Sequence, residues 1–252
     1  MPTQSSVTGA PVAGAPRNWL VTGASRGLGL AIARRAIVGG DRVCLMARSL
    51  DIVAIAAELG PNAWGIAADV TSPESVAIAC SSAVEVFGGI DVLINNAGLH
   101  RGGKVAGLEP AVWDAVIATN LSGPLNVVRA ALPHFAASGG AIVNIGAVVG
   151  FRGFGGDACY GAAKAGLTGL NRVLAVELAP RGIRVNQVIP GFVATAMTAG
   201  VSDSARDAIL AKVPLRRMGR AEEIADVCWW VAGASYMTGS DIVTDGGLMC
   251  GL

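Results

Sequence analysis

The feature that most constrains the fold is a regular alternation of short apolar segments with longer helical ones. Apolar segments of strand length lie near residues 18–22, 42–47, 63–68, 90–94, 141–145, 183–189 and 241–244. Helical patterns lie between them, near residues 30–38, 50–59, 73–87, 110–137, 158–180 and 221–232. Such alternation is typical of a parallel sheet covered on both faces, with ligands at the carboxyl ends of its strands. The sequence therefore predicts an α/β fold, a doubly wound parallel sheet of about seven strands with helices on both faces.

A glycine-rich turn joins the first strand to the first helix. The segment Gly23-Ala-Ser-Arg-Gly27-Leu-Gly29 runs directly into the helical pattern of residues 30–38. Glycines let the backbone approach a pyrophosphate, whose charge is attracted by the unpaired N–H groups and the positive end of the helix. Close packing would also explain Gly27 and Gly29, and the spacing T-G-x-x-x-G-x-G is not the common dinucleotide pattern. The strand–turn–helix context favours a phosphate site.

Tyr160 and Lys164 lie four residues apart at the start of a long helical pattern. That spacing puts both side chains on one face of a helix, one turn apart. A phenol has a pKa of about 10, so a neighbouring ammonium group that favours phenolate would make it a proton donor or acceptor near neutral pH. Taken alone, the pair is equally compatible with an amphipathic Tyr and a solvated Lys.

Together with further motifs, these segments resemble the classical short-chain dehydrogenases/reductases over about residues 17–252. The motifs follow the order of that family: Thr22-Gly23…Gly27-x-Gly29, Asp69-Val70, Asn95-Asn96-Ala97-Gly98, Asn120, Tyr160-x-x-x-Lys164, and Pro190-Gly191 followed by Thr195. The nearest resemblance is to ketoreductases that act on 3-oxoacyl groups and similar small carbonyl compounds. It implies a single Rossmann-like, NAD(P)-binding catalytic domain over residues 17–252.

The resemblance also implies which residues bind the nicotinamide cofactor. Asp69 and Val70 would hold the adenine, and Val193 and Thr195 the nicotinamide carboxamide. The full set of implied cofactor-binding residues is Gly23, Ser25, Arg26, Gly27, Leu28, Gly29, Arg48, Asp69, Val70, Asn95, Ala97, Gly98, Tyr160, Lys164, Pro190, Gly191, Val193 and Thr195.

Charge at the end of the second strand favours NADP(H) over NAD(H). An enzyme that prefers NAD places a carboxylate here for the ribose 2′-OH, and that carboxylate would repel a 2′-phosphate. The chain has Ala47 at this point, followed by Arg48, and Arg26 of the glycine turn is expected on the same side. Because two guanidinium groups suit a phosphate dianion, we expect NADP(H) as the cofactor.

The family pattern implies hydride transfer to a carbonyl carbon, with Tyr160 giving a proton to the oxygen. Lys164 would lower the pKa of Tyr160 and bind the nicotinamide ribose. Asn120 would anchor a water that relays protons through Lys164; the alternative is a helix-interior Asn that bonds locally. A Ser hydroxyl thirteen residues before Tyr160 would polarise the substrate oxygen, but that position is Ala147. The loss of one such donor lowers the rate by about 10²–10³.

Three explanations of Ala147 remain open. The chain is an engineered Ser-to-Ala variant, a natural enzyme whose substrate polarises itself (an imine or an internally hydrogen-bonded ketone), or a protein that has left redox chemistry. The otherwise intact segment Ile145-Gly-Ala-Val-Val-Gly150 favours the first. We therefore expect an NADPH-dependent reductase that is impaired at this site. The alternative is a cofactor-binding protein with little or no redox activity and a regulatory role.

The substrate is expected to be a small, largely apolar carbonyl or imine compound. Phe151, Phe154 and Met197 would make its pocket apolar, although each is also compatible with plain packing, and Arg152 would meet a carboxylate. The segment Ser138-Gly-Gly140 carries no charge that would attract an acyl carrier protein. A free small molecule is therefore the predicted partner.

Composition predicts an oligomeric, cytoplasmic protein. Hydrophobic residues make up 52% of the 252 residues and charged ones 15%, so we expect a homotetramer or homodimer that covers the apolar surface. A net charge of +1 gives no attraction to nucleic acid or anionic membrane, and no apolar run has the length of a membrane span. His100 and His134 have no partner at ligand spacing, so no metal is expected. Residues 1–16 are predicted to be a disordered extension without the pattern of a signal peptide.

Overall fold

The computed structural model describes residues 15–195 and 203–250, and these contain one sheet of seven parallel strands in the order β3-β2-β1-β4-β5-β6-β7. The strands are β1 (Asn18–Thr22), β2 (Arg42–Ala47), β3 (Ala63–Ala67), β4 (Val92–Asn95), β5 (Gly140–Ile145), β6 (Ile183–Pro190) and β7 (Asp241–Thr244). The predicted doubly wound, Rossmann-like parallel sheet is confirmed.

Eight α-helices are present in the described residues. They are α1 (Gly27–Val38), α2 (Ile52–Glu58), α3 (Pro73–Phe87), α4 (Pro110–Ile117), α5 (Gly123–Ala131), α6 (Ala158–Leu178), α7 (Asp203–Leu210) and α8 (Ala221–Gly233). The sequence did not predict α7, which has only eight residues. Residues 1–14 of the predicted N-terminal extension lie outside the described residues. The boundary between the extension (residues 1–16) and the domain that follows it therefore stays a prediction.

The helix predicted over residues 110–137 is interrupted, because Pro124 cannot donate a backbone hydrogen bond. In an α-helix that bond would reach the carbonyl of Asn120. The chain instead forms a π-helical turn over Ala118–Ser122, in which the N–H of Gly123 bonds to the carbonyl of Ala118. Single π turns inside helices are frequent at functional sites.

The strand residues point alternately to the two faces of the sheet and form two apolar layers. Trp19 and Val21 of β1 pack with buried residues of α1 and α8 on one face. Leu20, between them, packs with buried residues of α3, α5 and α6 on the other. Because every strand is parallel, all the carboxyl ends meet at one edge. The strand order reverses between β1 and β4, which predicts a ligand crevice at that edge.

Candidate active site

A cleft of about 790 Å³ opens at the carboxyl edge of the sheet. The segments that follow β1 to β6 all contribute to its wall. Its volume lies within the range of small-molecule and cofactor sites, about 300–1,000 Å³. The cleft therefore lies where the topology predicts a ligand.

The glycine turn after β1 needs glycine at two positions. Gly23 has φ +65°, and a Cβ atom there would come within 2.7 Å of the Cα of Ala97. At Gly29 a Cβ would overlap the carbonyl oxygen of Gly23 and the amide of Asn96. The amide of Asn96 donates to the carbonyls of Thr22 and Gly23, at 2.9 and 3.1 Å. These contacts hold the turn against the end of β4. Gly29 therefore lies on the side of the turn that faces Asn96 and does not line the cleft.

The first turn of α1 leaves backbone N–H groups for an anion. Its N-cap is Arg26 in an extended conformation, without a side-chain cap, and the first turn has no acidic residue. Gly27, with φ +55°, begins the helix at the cleft wall. Unpaired N–H groups and the positive end of the helix together favour a phosphate here.

Two arginines line the cleft. Arg26 and Arg48 both belong to its wall, with Ser49 and one carboxylate, Asp51, near Arg48. Ala47 lines the wall, at the position where an NAD-preferring site has an acid. These hydrogen-bond donors fit a dinucleotide with an additional phosphate. The charges at the end of the second strand predict the same cofactor from the sequence.

Most of the residues implied to bind the cofactor lie in the cleft wall. These are Gly23, Ser25, Arg26, Gly27, Leu28, Arg48, Asp69, Val70, Ala97, Gly98, Tyr160, Lys164, Pro190, Val193 and Thr195. Three do not line it: Gly29, Asn95 and Gly191. Asn95 is buried, and its amide donates to Asn144, which donates to Asn171. Gly191 packs against the backbone of Asp245.

Tyr160 and Lys164 lie in the first two turns of α6 and both line the cleft. The Lys164 ammonium group lies 5.6 Å from the centre of the Tyr160 ring and donates to the carbonyl of Ile145 at 2.8 Å. Burial lowers the pKa of Lys164 to about 8. The spacing argument therefore predicts their common face correctly.

The pKa of Tyr160 is raised in this structure, whereas the resemblance implies that Lys164 lowers it. Burial of the phenol, followed by the negative charge of Asp157, raises the pKa of Tyr160 to about 12. Both causes disfavour phenolate. Tyr160 is thus held in its protonated form, which suits a proton donor.

Asn120 lies buried in the π-helical turn, and its side chain bonds both to the preceding helical turn and to a distant segment. Its amide donates to the carbonyls of Leu99 and Val116, at 2.8 and 2.9 Å, and its side-chain oxygen accepts from the N–H of Leu99 at 3.3 Å. These bonds tie the turn to the segment after β4. The bond to Val116 is the local one that the alternative interpretation of Asn120 describes. Pro124 leaves the backbone carbonyl of Asn120 without an α-helical partner.

Ala147 lies directly after β5, in the same wall as Tyr160 and Lys164. Its backbone is extended, with φ −163°, and it precedes a single 3₁₀ turn. The methyl group therefore lies at the wall where the family pattern has a hydroxyl.

The predicted substrate-pocket residues do not line the cleft in the described part of the chain. The Arg152 guanidinium donates to the carbonyl of Leu248 at 2.8 Å, so it is engaged by backbone. Phe154 packs edge-on against Phe192, with ring centres 5.7 Å apart. Phe151 is exposed. Met197 lies outside the described residues. Leu99, His100 and Thr119 line the wall instead.

Sequence reasoning missed a pair beside Tyr160. His100 follows β4 and Asp157 precedes α6; the Nε2 of His100 and the Oδ1 of Asp157 are 2.8 Å apart. The His100 ring meets the Tyr160 ring edge-on, with centres 4.9 Å apart. The hydrogen bond to Asp157 raises the pKa of His100 above its ordinary value. No sequence spacing signals this pair, because its members are 57 residues apart.

Two other classes of site find no support in the described residues. No three His, Cys, Asp or Glu side chains of residues 15–195 and 203–250 are grouped so that they would hold a metal ion. In the same part of the chain, no helix combines the length and the apolar character that a membrane crossing requires.

Proteins of known sequence resemble this chain over most of its length. A family model described as enoyl-(acyl carrier protein) reductase matches residues 23–249. The 3-oxoacyl-[acyl-carrier-protein] reductase FabG of Escherichia coli K12 is 42% identical over 233 residues, which is 91% of this chain and 96% of the relative. The reductase of the same name from Staphylococcus aureus Mu50 is 38% identical over 237 residues, with the same coverage.

Solved structures show the same fold. A short-chain dehydrogenase/reductase (glucose/ribitol dehydrogenase) from Brucella melitensis has a TM-score of 0.88 and 34% identity, covering 92% of this chain and 96% of its own. A blue fluorescent protein from a metagenomic library, solved in complex with NADPH, has a TM-score of 0.87 and 32% identity, covering 92% and 98%.

Proposed function

Because the chain belongs to the short-chain dehydrogenase/reductase family, we propose that it is an NADPH-dependent reductase of a small, largely apolar carbonyl or imine compound. The observation that carries this proposal is that one cleft wall contains the glycine turn, two arginines and the pair Tyr160 and Lys164. A relative is named a 3-oxoacyl-[acyl-carrier-protein] reductase, which supports reduction of a carbonyl group, and a structural neighbour is described with NADPH, which supports the cofactor. The proposed catalytic domain comprises residues 17–252, in the cytoplasm.

The cleft fits NADPH by three features of its own residues: a glycine turn close to β4, a helix start without an acidic or capping side chain, and two cations at Arg26 and Arg48. When bound, NADPH supplies the hydride. The α1 N–H groups and the glycine turn would hold its pyrophosphate, and Asp69 and Val70 its adenine end.

Tyr160 holds the proton that the carbonyl oxygen receives. Its raised pKa keeps the phenol protonated over the neutral range. Lys164, one turn further along α6, is buried and fixed to the carbonyl of Ile145, so its positive charge stays beside the phenol as charge shifts toward it. Ala147 offers no hydrogen bond to the same oxygen. Unless another side chain takes the place of that hydroxyl, the missing donor lowers the rate by about 10²–10³.

Turnover separates the reductase from the alternative, a cofactor-binding protein with little or no redox activity. The absence of a hydroxyl at position 147 is the observation that favours the alternative. The test is NADPH oxidation by the unmodified chain and by Ala147→Ser with a panel of ketones, diketones, quinones and imines. NADPH binding without turnover in either form would contradict the proposed reductase.

We expect NADPH to bind at least about ten-fold more tightly than NADH. A charge-assisted hydrogen bond contributes about 1.5–3 kcal/mol, and Arg48 and Arg26 would make such bonds to the 2′-phosphate. Arg48→Ala should therefore weaken NADPH binding about ten-fold and leave NADH binding nearly unchanged. Fluorescence titration with both cofactors gives the dissociation constants.

Arg34→Ala is the matched control for Arg48→Ala. Arg34 is exposed on α1, outside the cleft wall, and should leave the ratio of the two dissociation constants unchanged. Equal affinity of the unmodified chain for NADPH and NADH would contradict the cofactor preference.

The proposed assembly is a homotetramer. In this fold family the helices near residues 110–137 and 158–180 pair across one two-fold axis, and the last helix and strand form a second contact. Exposed apolar side chains on both faces support this: Trp113, Leu125, Val173 and Val176 on the long helices, and Trp230 and Val243 on α8 and β7. Trp229, expected in the second contact, is instead half-buried against Arg35 of α1, with the guanidinium 4.0 Å from its ring. The C-terminal segment expected there is described only as far as residue 250.

Sedimentation should show a tetramer at micromolar concentration, and Val176→Glu should reduce it to dimers. Val176 is 77% exposed on α6, and a carboxylate buried in a self-complementary contact is repeated by symmetry in the partner chain. Val38→Glu, at an 82% exposed position at the end of α1, is the matched control and should leave the tetramer intact. A monomeric unmodified chain would refute the assembly.

A further inference from the structure

The proposed site needs a second hydrogen-bond donor for the carbonyl oxygen, and Ala147 does not supply one. Two other polar side chains of the cleft wall are bound to backbone. The hydroxyl of Thr119 donates to the carbonyl of Ala115 at 2.8 Å, and Asn96 is held by the glycine turn. Their hydrogen-bonding protons are therefore already engaged.

His100 is differently placed. It lines the cleft and touches the ring of Tyr160 edge-on. One ring nitrogen, Nε2, is held by Asp157, and the other, Nδ1, has no partner in the part of the chain that the structure describes. The side chain is 40% exposed. A ring fixed by a carboxylate on one side and an aromatic ring on the other presents its free nitrogen in a defined direction.

We propose that His100 is a further catalytic residue, which donates a hydrogen bond from Nδ1 to the substrate's carbonyl oxygen in place of a hydroxyl at position 147, with Asp157 as its positioning residue. The inference rests on the proposed reductase function and names the donor of that same site. No bond to His100 forms or breaks in the step; the proton that the oxygen receives comes from Tyr160.

Protonation of His100 determines whether it can act. Ionised Asp157 accepts the hydrogen on Nε2, so Nδ1 carries a hydrogen only in the imidazolium form. The bond to Asp157 raises the pKa of His100, which brings that form closer to neutral pH. The other charged or titratable groups around it are Tyr160 and, beyond its ring, Lys164 on α6, and Arg101, the next residue of its own loop. A charged donor makes a stronger hydrogen bond than a neutral one.

A cycle of two substitutions tests the shared role of positions 100 and 147. His100→Phe keeps an aromatic edge against Tyr160 and removes the donor, and should lower kcat/KM about 10²-fold with little change in NADPH affinity. Ala147→Ser should restore about 10²-fold in the His100→Phe chain but raise the unmodified chain by less than ten-fold. His100→Gln, which keeps a neutral amide donor, should have a kcat/KM between those of the unmodified chain and the His100→Phe chain. His134→Phe, at the only other histidine, is the control and should leave kcat/KM unchanged.

Two further readouts distinguish a donor from a packing residue. In the chain without substrate, NMR titration should give His100 a pKa above its ordinary value, and Asp157→Asn should lower it. The pH profile of kcat/KM should fall on the alkaline side as His100 loses its proton, and His100→Gln should lose that limb.

Equal gains from Ala147→Ser in the unmodified chain and in the His100→Phe chain would overturn the inference, since the two positions would then act independently. It would also fail, with the reductase function intact, if Tyr160-dependent turnover appeared only after Ala147→Ser. Absence of turnover in all chains, with NADPH bound, would refute the reductase function itself.

Discussion

Replacement of Tyr160 by Phe should lower the rate of carbonyl reduction by about 10²–10⁴-fold, the usual contribution of a positioned general acid. In the proposed mechanism only the phenol gives up a proton, whereas His100 contributes a hydrogen bond and Lys164 a positive charge, so neither should replace it. Phe keeps the ring that packs against His100, so the fold and the affinity for NADPH should hardly change. Stopped-flow or steady-state measurement of NADPH oxidation with an accepted substrate gives the ratio of the rates of the unmodified chain and the Tyr160→Phe chain.

Tyr236→Phe is the matched control, because the chain has two tyrosines and Tyr236 is fully exposed. It should leave the rate unchanged. Because the pKa of Tyr160 is raised to about 12, ionisation of the phenol should not limit reduction below about pH 10. A Tyr160→Phe chain with more than about a tenth of the original kcat would contradict the role of the phenol.

The sheet and the glycine turn were predictable because each depends on local chemistry. The apolar segments have strand length and alternate with helical patterns, so the strands β2 and β6 begin at the predicted residues. Gly23 and Gly29 are demanded by a positive φ and by a close approach of the backbone, which other residues cannot satisfy. Constraints of this kind act on single residues, so the sequence pattern indicates them.

The break at Asn120 had a local signal that the helical period hid. Pro124 lies four residues after Asn120, and its missing N–H forces the π turn. The period of apolar residues continues through the break, so the pattern alone predicts one helix. The position of Pro124, four residues after Asn120, was the feature of the sequence that indicated a break in the helix.

Interactions between distant segments were not predictable from spacing. His100 and Asp157 meet because the end of β4 and the start of α6 lie at the same edge of the sheet, and Arg152 is drawn to the carbonyl of Leu248 by the fold near the C-terminus. The direction of the pKa shift of Tyr160 was not predictable for a related reason. The spacing to Lys164 indicates a neighbouring cation, whereas the degree of burial, which dominates, depends on the whole cleft wall.

Replacement of Lys164 by Met should abolish reduction and change the stability of the protein in a pH-dependent way. Lys164 is buried, with its ammonium group bound to the carbonyl of Ile145. Without that charge beside Tyr160 the rate should fall by about 10²–10⁴-fold. Lys212→Met, at an exposed lysine, is the control and should change neither the rate nor the pH dependence of stability.

The stability effect follows from the pKa of Lys164, which burial lowers from 10.5 to about 8. Below pH 8 the folded chain carries a buried ammonium group whose desolvation lowers stability. Between pH 8 and 10.5 the folded state has released that proton while the unfolded state still binds it, so stability contributed by this group rises with pH. Met has no such group. From pH 7 to pH 9.5, the free energy of unfolding of the unmodified chain should rise by roughly 2 kcal/mol relative to Lys164→Met, by integration of the linkage relation.

Urea unfolding of both chains at the two pH values measures this difference, in which the contributions of cysteines and tyrosines common to both chains cancel. At pH 7 the Met variant loses the bond to Ile145, about 1 kcal/mol, but also the desolvation cost of the charge, so it should be at least as stable as the original. A variant that is inactive and less stable by the same amount at both pH values would mean that Lys164 acts through packing alone. A variant that is inactive, stable at pH 7 and overtaken by the original at high pH would mean that the chain retains a destabilising buried cation because the chemistry at Tyr160 requires it.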